Sequence, residues 1–301
     1  MNRLPFDKPG AWWRGNLHTH TTISDGKRTP ADVIATYREQ GYDFIAITDH
    51  FMERFGFPVV DTSEFRIDGF TTLFGAELHG PALSHGDIWH IVAAGLPLDF
   101  APMTPGETGV EVAARAQAAG AFVGIAHPAW YTLTLKDACT IAPHADAVEV
   151  YNHTARHDND RGDGWYLSDQ LAMVLDRPLL AYAADDAHFN TRPDFFGGWV
   201  WVKAEENNPE DLLAALKLGA FYSSQGPLIA DVRRDGDELV IETSPVAEIY
   251  LSGPGSLNRS IRRSHVTGAR LPIDPFAGTW ARVTVVDFAG RRAWTSPFMV
   301  E

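Results

Sequence analysis

Apolar and polar positions along the chain fall into two textures. Through the first three-quarters, short and nearly continuous apolar runs recur: "GNLHTH" from 15, "DFIAIT" from 43, "TTLFGAE" from 71, "IWHIVAAG" from 88, "AFVGIAH" from 121, "DAVEVYN" from 146 and "PLLAYAADD" from 178. Runs of this kind read as strands buried on both faces. Helical patterns with recognisable starts lie between several of them. Thr29-Pro30-Ala31-Asp32 supplies a cap, a proline at the first helical position and an acid in the first turn, ahead of "VIATYREQG" and its terminal Gly41. Thr108 with Glu111 opens "VEVAARAQAAG" in the same way, and Asn208-Pro209-Glu210 opens "DLLAALKLG". Strands alternating with helices predict parallel pairing, in a βα barrel or an open doubly wound sheet.

From about residue 228 the pattern becomes that of an antiparallel β unit. "DVRRDGDELVIETS" sets an Asp-Gly turn between strand-like segments, and "ARVTVVDFAGRRAWTSPFMV" sets an Ala-Gly turn between two more. The expected organisation is therefore a large α/β domain over 1–227 and a small antiparallel β domain over 228–301. For the second, packing against apolar surface is favoured over a binding role. No internal repeat is evident.

Composition narrows the class. With 301 residues and 45% hydrophobic content, the chain is globular rather than disordered. No apolar leader follows the first residues and no run of about 18 apolar residues occurs, so a cytoplasmic protein without membrane association is expected. The lone Cys139 excludes an intramolecular disulfide and reads as a packed, inert thiol. The formal charge of -14 is unevenly placed: residues 226–301 hold nine Arg against nine acids, leaving 16 basic against 30 acidic residues in 1–225. An acidic domain of this kind argues against a broad nucleic-acid-binding face.

The chemistry sits at the strand ends. His18 and His20 stand two apart at the end of the first strand run, and because side chains alternate in a strand both are expected to project to one face. His50 closes the second run, Glu77 the third, His90 lies in the fourth, His127 closes the fifth, and Asp186 with His188 closes the seventh. In a βα barrel the carboxyl ends of the strands converge on one mouth. A single histidine near a strand end is usually a surface or hydrogen-bonded residue. Recurrence at almost every strand is different, because each buried imidazole or carboxylate without a partner costs a few kcal/mol. Shared cations remove that cost.

The run H-x-H-x-x-x-x-D-G (His18 to Gly26), T-D-H (Thr48 to His50), G-x-E (Gly75 to Glu77), an H-I-V-A-A-G strand from His90, A-H-P (Ala126 to Pro128) and D-D-A-H (Asp185 to His188) resembles the polymerase and histidinol phosphatase, or PHP, family. The resemblance implies a distorted seven-stranded (β/α) barrel, a trinuclear metal site and phosphoesterase activity. Its nine ligands would be His18, His20, Asp25, His50, Glu77, His90, His127, Asp186 and His188. One ion would take His18, His20, Glu77 and Asp186, a second Glu77, His90 and His127, and a third Asp25, His50 and His188, with Glu77 bridging. Mixed imidazole and carboxylate donors suit zinc, manganese or iron better than calcium. His79 and His85 are alternatives to His90, and Asp49 reads as a supporting residue.

Divalent ions about 4 Å apart imply attack on phosphorus by a metal-bound hydroxide, with no protein nucleophile. His20, His188 or a bound water would protonate the leaving group. For the substrate phosphate the candidate cations are Lys27, Arg28 and above all Arg192, whose alternative role is a loop pair with Asp194. Trp130, Tyr131 and Asn152 are expected at the mouth. The expected function is hydrolysis of a small phosphate ester, mono- or diester, nucleotides included, with a phosphorylated small molecule and phosphate as partners, and nucleic acid only as an oligonucleotide substrate. The alternatives are an exonuclease trimming oligonucleotide ends and a non-hydrolytic metal-binding recognition module. A metal-dependent amidohydrolase also begins with H-x-H, but only Lys136 and Lys203 lie between residues 28 and 216 and neither ends one of these strands.

Overall fold

The computed structural model describes residues 4–175 and 177–301. Ten strands run through the first three-quarters: β1 (Ala11–Asn16), β2 (Phe44–Ile47), β3 (His50–Phe51), β4 (Thr71–Gly80), β5 (Trp89–Ala94), β6 (Phe122–Ile125), β7 (Ala147–Asn152), β8 (Leu180–Ala184), β9 (Trp199–Ala204) and β10 (Phe221–Ser224). Six follow: β11 (Ile229–Asp235), β12 (Glu238–Ser252), β13 (Asn258–Pro272), β14 (Trp280–Val286), β15 (Arg292–Thr295) and β16 (Phe298–Met299). Both expected hairpin turns are present, Gly236 between β11 and β12 and Gly290 between β14 and β15 having positive φ of 61° and 81°.

The architecture is mixed α/β, but the expected closed seven-stranded barrel is not what forms. One continuous path runs β11-β12-β14-β15-β10-β9-β1-β2-β4-β5-β6-β7-β8, with β13 on β12, β16 on β14 and β3 on β4. Two physical reasons stand out. Parallel pairing holds for β1–β2, β2–β4, β6–β7 and β7–β8, whereas β5 is antiparallel to both β4 and β6, and β9 to both β1 and β10. In addition, β8 meets β10 through a side chain instead of a ladder: the Ser223 hydroxyl accepts the Ala183 N–H at 3.0 Å and donates to the Ala181 carbonyl at 3.2 Å.

Helices α1 (Pro30–Glu39), α2 (Gly109–Ala118), α3 (Leu135–Ile141), α4 (His153–Asn159), α5 (Trp165–Val174) and α6 (Pro209–Leu218) fill the connections. The three expected starts are found. The Thr29 hydroxyl accepts the Asp32 N–H, Thr108 and Glu111 form a reciprocal capping box, and the Asn208 side chain accepts the Asp211 N–H. α6 ends on Gly219 in the left-handed region, φ 74°. Phe44, Phe122, Tyr182 and Phe221 are fully buried in one core beside β1, β2, β6, β8 and β10, each worth about 1.5–3 kcal/mol of transfer free energy. No helix among the described residues is long and apolar enough to cross a membrane.

Strand ends fall short of the histidines. β1 stops at Asn16, β2 at Ile47, β6 at Ile125 and β8 at Ala184, so His18, His20, His127, Asp186 and His188 stand on the turns just beyond, and His50 opens the separate β3. Glu77 lies inside β4 rather than at its end.

Candidate metal centre

The direction of β5 explains how distant residues meet. Running opposite to β4 and β6, it brings its amino end to the side where those strands finish, and His79 of β4 faces His90 of β5 in register. Glu77 lies at the centre, 1% exposed. Its Oε1 is 2.8 Å from His90 Nδ1 and 3.1 Å from His127 Nε2. Its Oε2 is 2.7 Å from His50 Nδ1, 3.5 Å from His79 Nε2, 3.6 Å from His20 Nε2 and 3.7 Å from His18 Nε2. Asp186 Oδ1 lies 3.2 Å from His18 Nε2 and 2.9 Å from His20 Nε2. Asp25 Oδ1 is 3.4 Å from both His50 Nε2 and His188 Nε2. The nine residues singled out in the sequence thus share one cluster, and His79 joins them beside His90 instead of replacing it.

The donor set fits divalent cations. His18 Nε2, both nitrogens of His20, Asp25 Oδ1, His127 Nδ1 and Asp186 Oδ1 are buried with no hydrogen-bond partner. Nitrogen and oxygen donors converge to within 4.8 Å of one another in His20/Asp25/His50/His188, His18/His20/Asp186, His18/Glu77/His127 and His50/Glu77/His79. Leaving that many buried polar atoms without partners would cost a few kcal/mol each. Cations shared between imidazole and carboxylate satisfy them together, and this mixed set suits zinc, manganese or iron.

A surrounding layer fixes ring orientation. The carbonyls of Trp89 and Asp186 can only accept, so His79 Nδ1, at 3.1 Å, and His188 Nδ1, at 2.7 Å, carry their hydrogens and leave Nε2 facing the cluster. His18 Nδ1 likewise meets Glu149 Oε1 at 3.1 Å, while Glu149 Oε2 accepts the His127 N–H at 2.6 Å. Asp49 braces the loop that carries Asp25: it accepts the Thr21 N–H and hydroxyl and the Ser24 N–H and hydroxyl. The glycine after Asp25 is required by close approach, since a Cβ on Gly26 would come within 2.6 Å of the His20 carbonyl oxygen. His127 and Asp186 hold positive φ of 22° and 57°, and their N–H groups are anchored on Glu149 and on the His18 carbonyl. Asp185 serves the next loop, accepting N–H groups from Phe196, Gly197 and Gly198 and the Tyr37 hydroxyl.

Opposing effects set the protonation of the metal-free chain. Burial, with His188 and His50 beside it, lowers His20 to about 3, and burial lowers His90 to about 4 against the pull of Glu77. Burial would also lower His50 and His188, but Glu77 and Asp25 lift the first to about 10, and Asp25 and Asp186 lift the second to about 9. Glu77 is driven well below the usual range despite burial, with His79, His50 and His90 around it.

The cluster floors a cavity of about 370 Å³ whose lining includes Met52, Arg54, Ile88, Trp130, Thr154 and Asn190. Arg54 is its single Lys or Arg among the described residues, the guanidinium lying 4.6 Å over the Phe55 ring. The cations expected from the sequence stand elsewhere. Lys27 and Arg28 line a separate outer depression beside α1, where Arg28 donates to the Thr36 hydroxyl and covers the Phe189 ring. Arg192 lines an adjoining cavity and is bound to the His157 carbonyl and to Asp158, while Asp194 accepts the N–H groups of His188 and Phe189 instead. Trp130 reaches the cavity, but Tyr131 is buried with its ring 5.1 Å from that of His90, and Asn152 is buried beneath it, donating to Glu149 and Asp186. The sequence reading missed Glu149 and Arg54. A lone acid within the apolar run "DAVEVYN" was the signal for the first; Arg54 offered none beyond following His50.

A mixed α/β fold with buried histidine and carboxylate groups that could hold metal ions defines a candidate metal centre. The PHP domain model matches residues 16–130, in agreement with the resemblance read from the motifs. The chain is similar over 96% of its length to 95% of a two-domain Bacteroides vulgatus protein containing a predicted PHP-like metal-dependent phosphoesterase, with 15% identity and a TM-score of 0.54. It is also similar, over 68% of its length and 96% of the other chain, to a candidate metal-dependent phosphoesterase from Bifidobacterium adolescentis, with 16% identity and a TM-score of 0.44. At such identities the first likeness shows a shared fold. No curated protein matches.

Proposed function

We propose that this chain is a metal-dependent phosphoesterase that hydrolyses a small phosphate ester, mono- or diester, with three divalent ions of zinc, manganese or iron. The observation that carries the reading is the set of buried, partnerless imidazole nitrogens and carboxylate oxygens converging around Glu77. His18, His20, Glu77 and Asp186 would hold one ion, Glu77, His90 and His127 a second, and Asp25, His50 and His188 a third, with His79 beside the last two groups. Bound ions of this kind activate water near neutral pH and neutralise phosphoryl charge.

The chain's own residues do the rest. Glu149 keeps His18 presenting Nε2 and fixes the backbone of His127. Arg54, with no carboxylate bound to it among the described residues, is available to fork onto a phosphoryl oxygen at the rim. Among the described residues no Ser, Cys or Lys lines the cavity, and the one hydroxyl there, that of Thr154, donates to the Asp186 carbonyl, which supports water as the nucleophile. An oligonucleotide needs a row of cations along its path, and a single arginine favours a small substrate. Residues 1–227 carry all of this, and residues 228–301 act as a packing unit.

The test is direct. Protein stripped of metal and reloaded with manganese, zinc or iron is analysed for metal content and offered nitrophenyl mono- and diesters and short oligonucleotides. Nitrophenol release by protein holding two or more ions is the expected result. Silence on every ester in protein that holds its metal overturns the reading.

A further inference from the structure

A second cavity of about 400 Å³ abuts the first, and Met52, His79 and Ile88 line both. Beyond that shared wall it is lined by Phe51, Phe57 and Met103. Phe51 is buried and packs on Phe57 at 5.2 Å between ring centroids, and Phe57 and Met103 lie half-buried against the same core. Among the described residues the carboxylates on this cavity are Glu53 and Glu107, and no Lys or Arg lines it. Glu107 is already committed to Arg115 and to the Thr104 N–H.

We propose that this second cavity receives the leaving group, so that the substrate is the phosphate ester of an apolar, uncharged alcohol or phenol; the inference rests on the phosphoesterase reading above. The phosphoryl group has to lie among the histidines and carboxylates with Arg54 at the rim, and Met52, His79 and Ile88, which line both cavities, put the apolar one next to that position. In the reaction, water oxygen bonds to phosphorus, the phosphorus–oxygen bond to the leaving group breaks, and the alcohol departs with a proton derived from that water. Each methylene-sized increment of a leaving group buried against this lining is worth about a factor of four in affinity. A leaving group bearing further phosphates would instead face Glu53 and the Arg115-paired Glu107, with no Lys or Arg on the described lining. The lining therefore selects for apolar esters and against polyphosphorylated ones.

The experiment separates this from the parent reading by measuring binding as well as turnover. Full-length manganese-loaded protein is titrated calorimetrically with naphthylmethylphosphonate and with methylphosphonate, and kcat/KM is compared for naphthyl phosphate and glycerol phosphate. The naphthyl ligand is expected to bind at least about tenfold more tightly. Met103→Glu and, independently, Ile88→Ser are each expected to shrink that ratio. Equal affinities for the two phosphonates in the unaltered protein, or a ratio unmoved in both folded variants, overturn the leaving-group site. A naphthyl preference in binding with no ester hydrolysed overturns the phosphoesterase reading and, with it, the assignment of this cavity to a leaving group.

Discussion

Glu149 holds two of the clustered histidines at once: one carboxylate oxygen lies 3.1 Å from His18 Nδ1 and the other accepts the His127 N–H at 2.6 Å. Glu149→Gln keeps the shape but turns one acceptor into a donor, so the His127 backbone or the His18 ring loses its partner. Metal affinity is expected to fall about 10–100-fold, as for other partners of ligating histidines. Competition with a chelator of known affinity measures it; unchanged retention would show that Glu149 does not orient the rings.

Asp186 stands between His18 and His20: its Oδ1 faces both imidazoles, while its Oδ2 accepts from Asn152. Asp186→Ala is expected to lose ester hydrolysis and part of the bound metal while keeping its circular dichroism spectrum. Full activity in that variant removes Asp186 from the ligand set.

Removal of metal is expected to lower stability. A ligand that binds only the folded chain at one hundred times its dissociation constant adds about 2.7 kcal/mol, so the melting temperature should rise with free manganese or zinc concentration and drop on chelation. A melting temperature indifferent to both contradicts a site assembled by folding.

Arg54 and Arg192 make a contrasting pair. Arg54→Ala is expected to raise KM about tenfold or more for a nitrophenyl monoester, the loss of one charge-assisted contact worth about 1.5–3 kcal/mol. Arg192→Ala should leave KM within about twofold, since the exposed Arg192–Asp158 pair contributes little. Steady-state kinetics on both variants decide it, and the reverse order would move the phosphate to the Arg192 side.

His153 predicts an acid response. It is packed against Gly197, its Nδ1 lies 2.8 Å from the Tyr151 hydroxyl, and burial, aided by neighbouring His157, lowers it from 6.5 to about 4. Its native value is below its unfolded one, so the unfolded chain binds the extra proton. The stability it contributes is complete above pH 6.5 and is lost as pH falls toward 4. His153→Gln should flatten the pH dependence of urea unfolding across that window. Parallel curves for the two proteins would place the acid sensitivity elsewhere.

The sequence made the cluster legible because its donors sit beside apolar runs that must be strands, and spacing such as H-x-H survives small errors in where a strand stops. The three helix starts were equally readable, since Thr29, Thr108 and Asn208 act through bonds only three residues long. Closure of the sheet was not. It turns on the antiparallel entry of β5 and β9 and on the Ser223 hydroxyl bonding to β8, which depend on contacts across the whole chain. The position of the expected substrate-side cations was hidden for the same reason: Lys27 and Arg28 adjoin Asp25 in sequence, yet the turn braced by Asp49 carries them to the outer face beside α1.

The continuous path of strands has one more consequence. β15 is the hydrogen-bonded neighbour of β10, the Ser296 hydroxyl accepts the Ala181 N–H, and Arg282 grips Asp169 on α5 with two bonds. A chain cut after residue 227 would uncover a raw strand edge along β10 and leave an N–H of β8 with nothing to bind. Such a fragment should self-associate before it could report on selectivity, so the tail has to be interrogated by point substitution within the intact polypeptide.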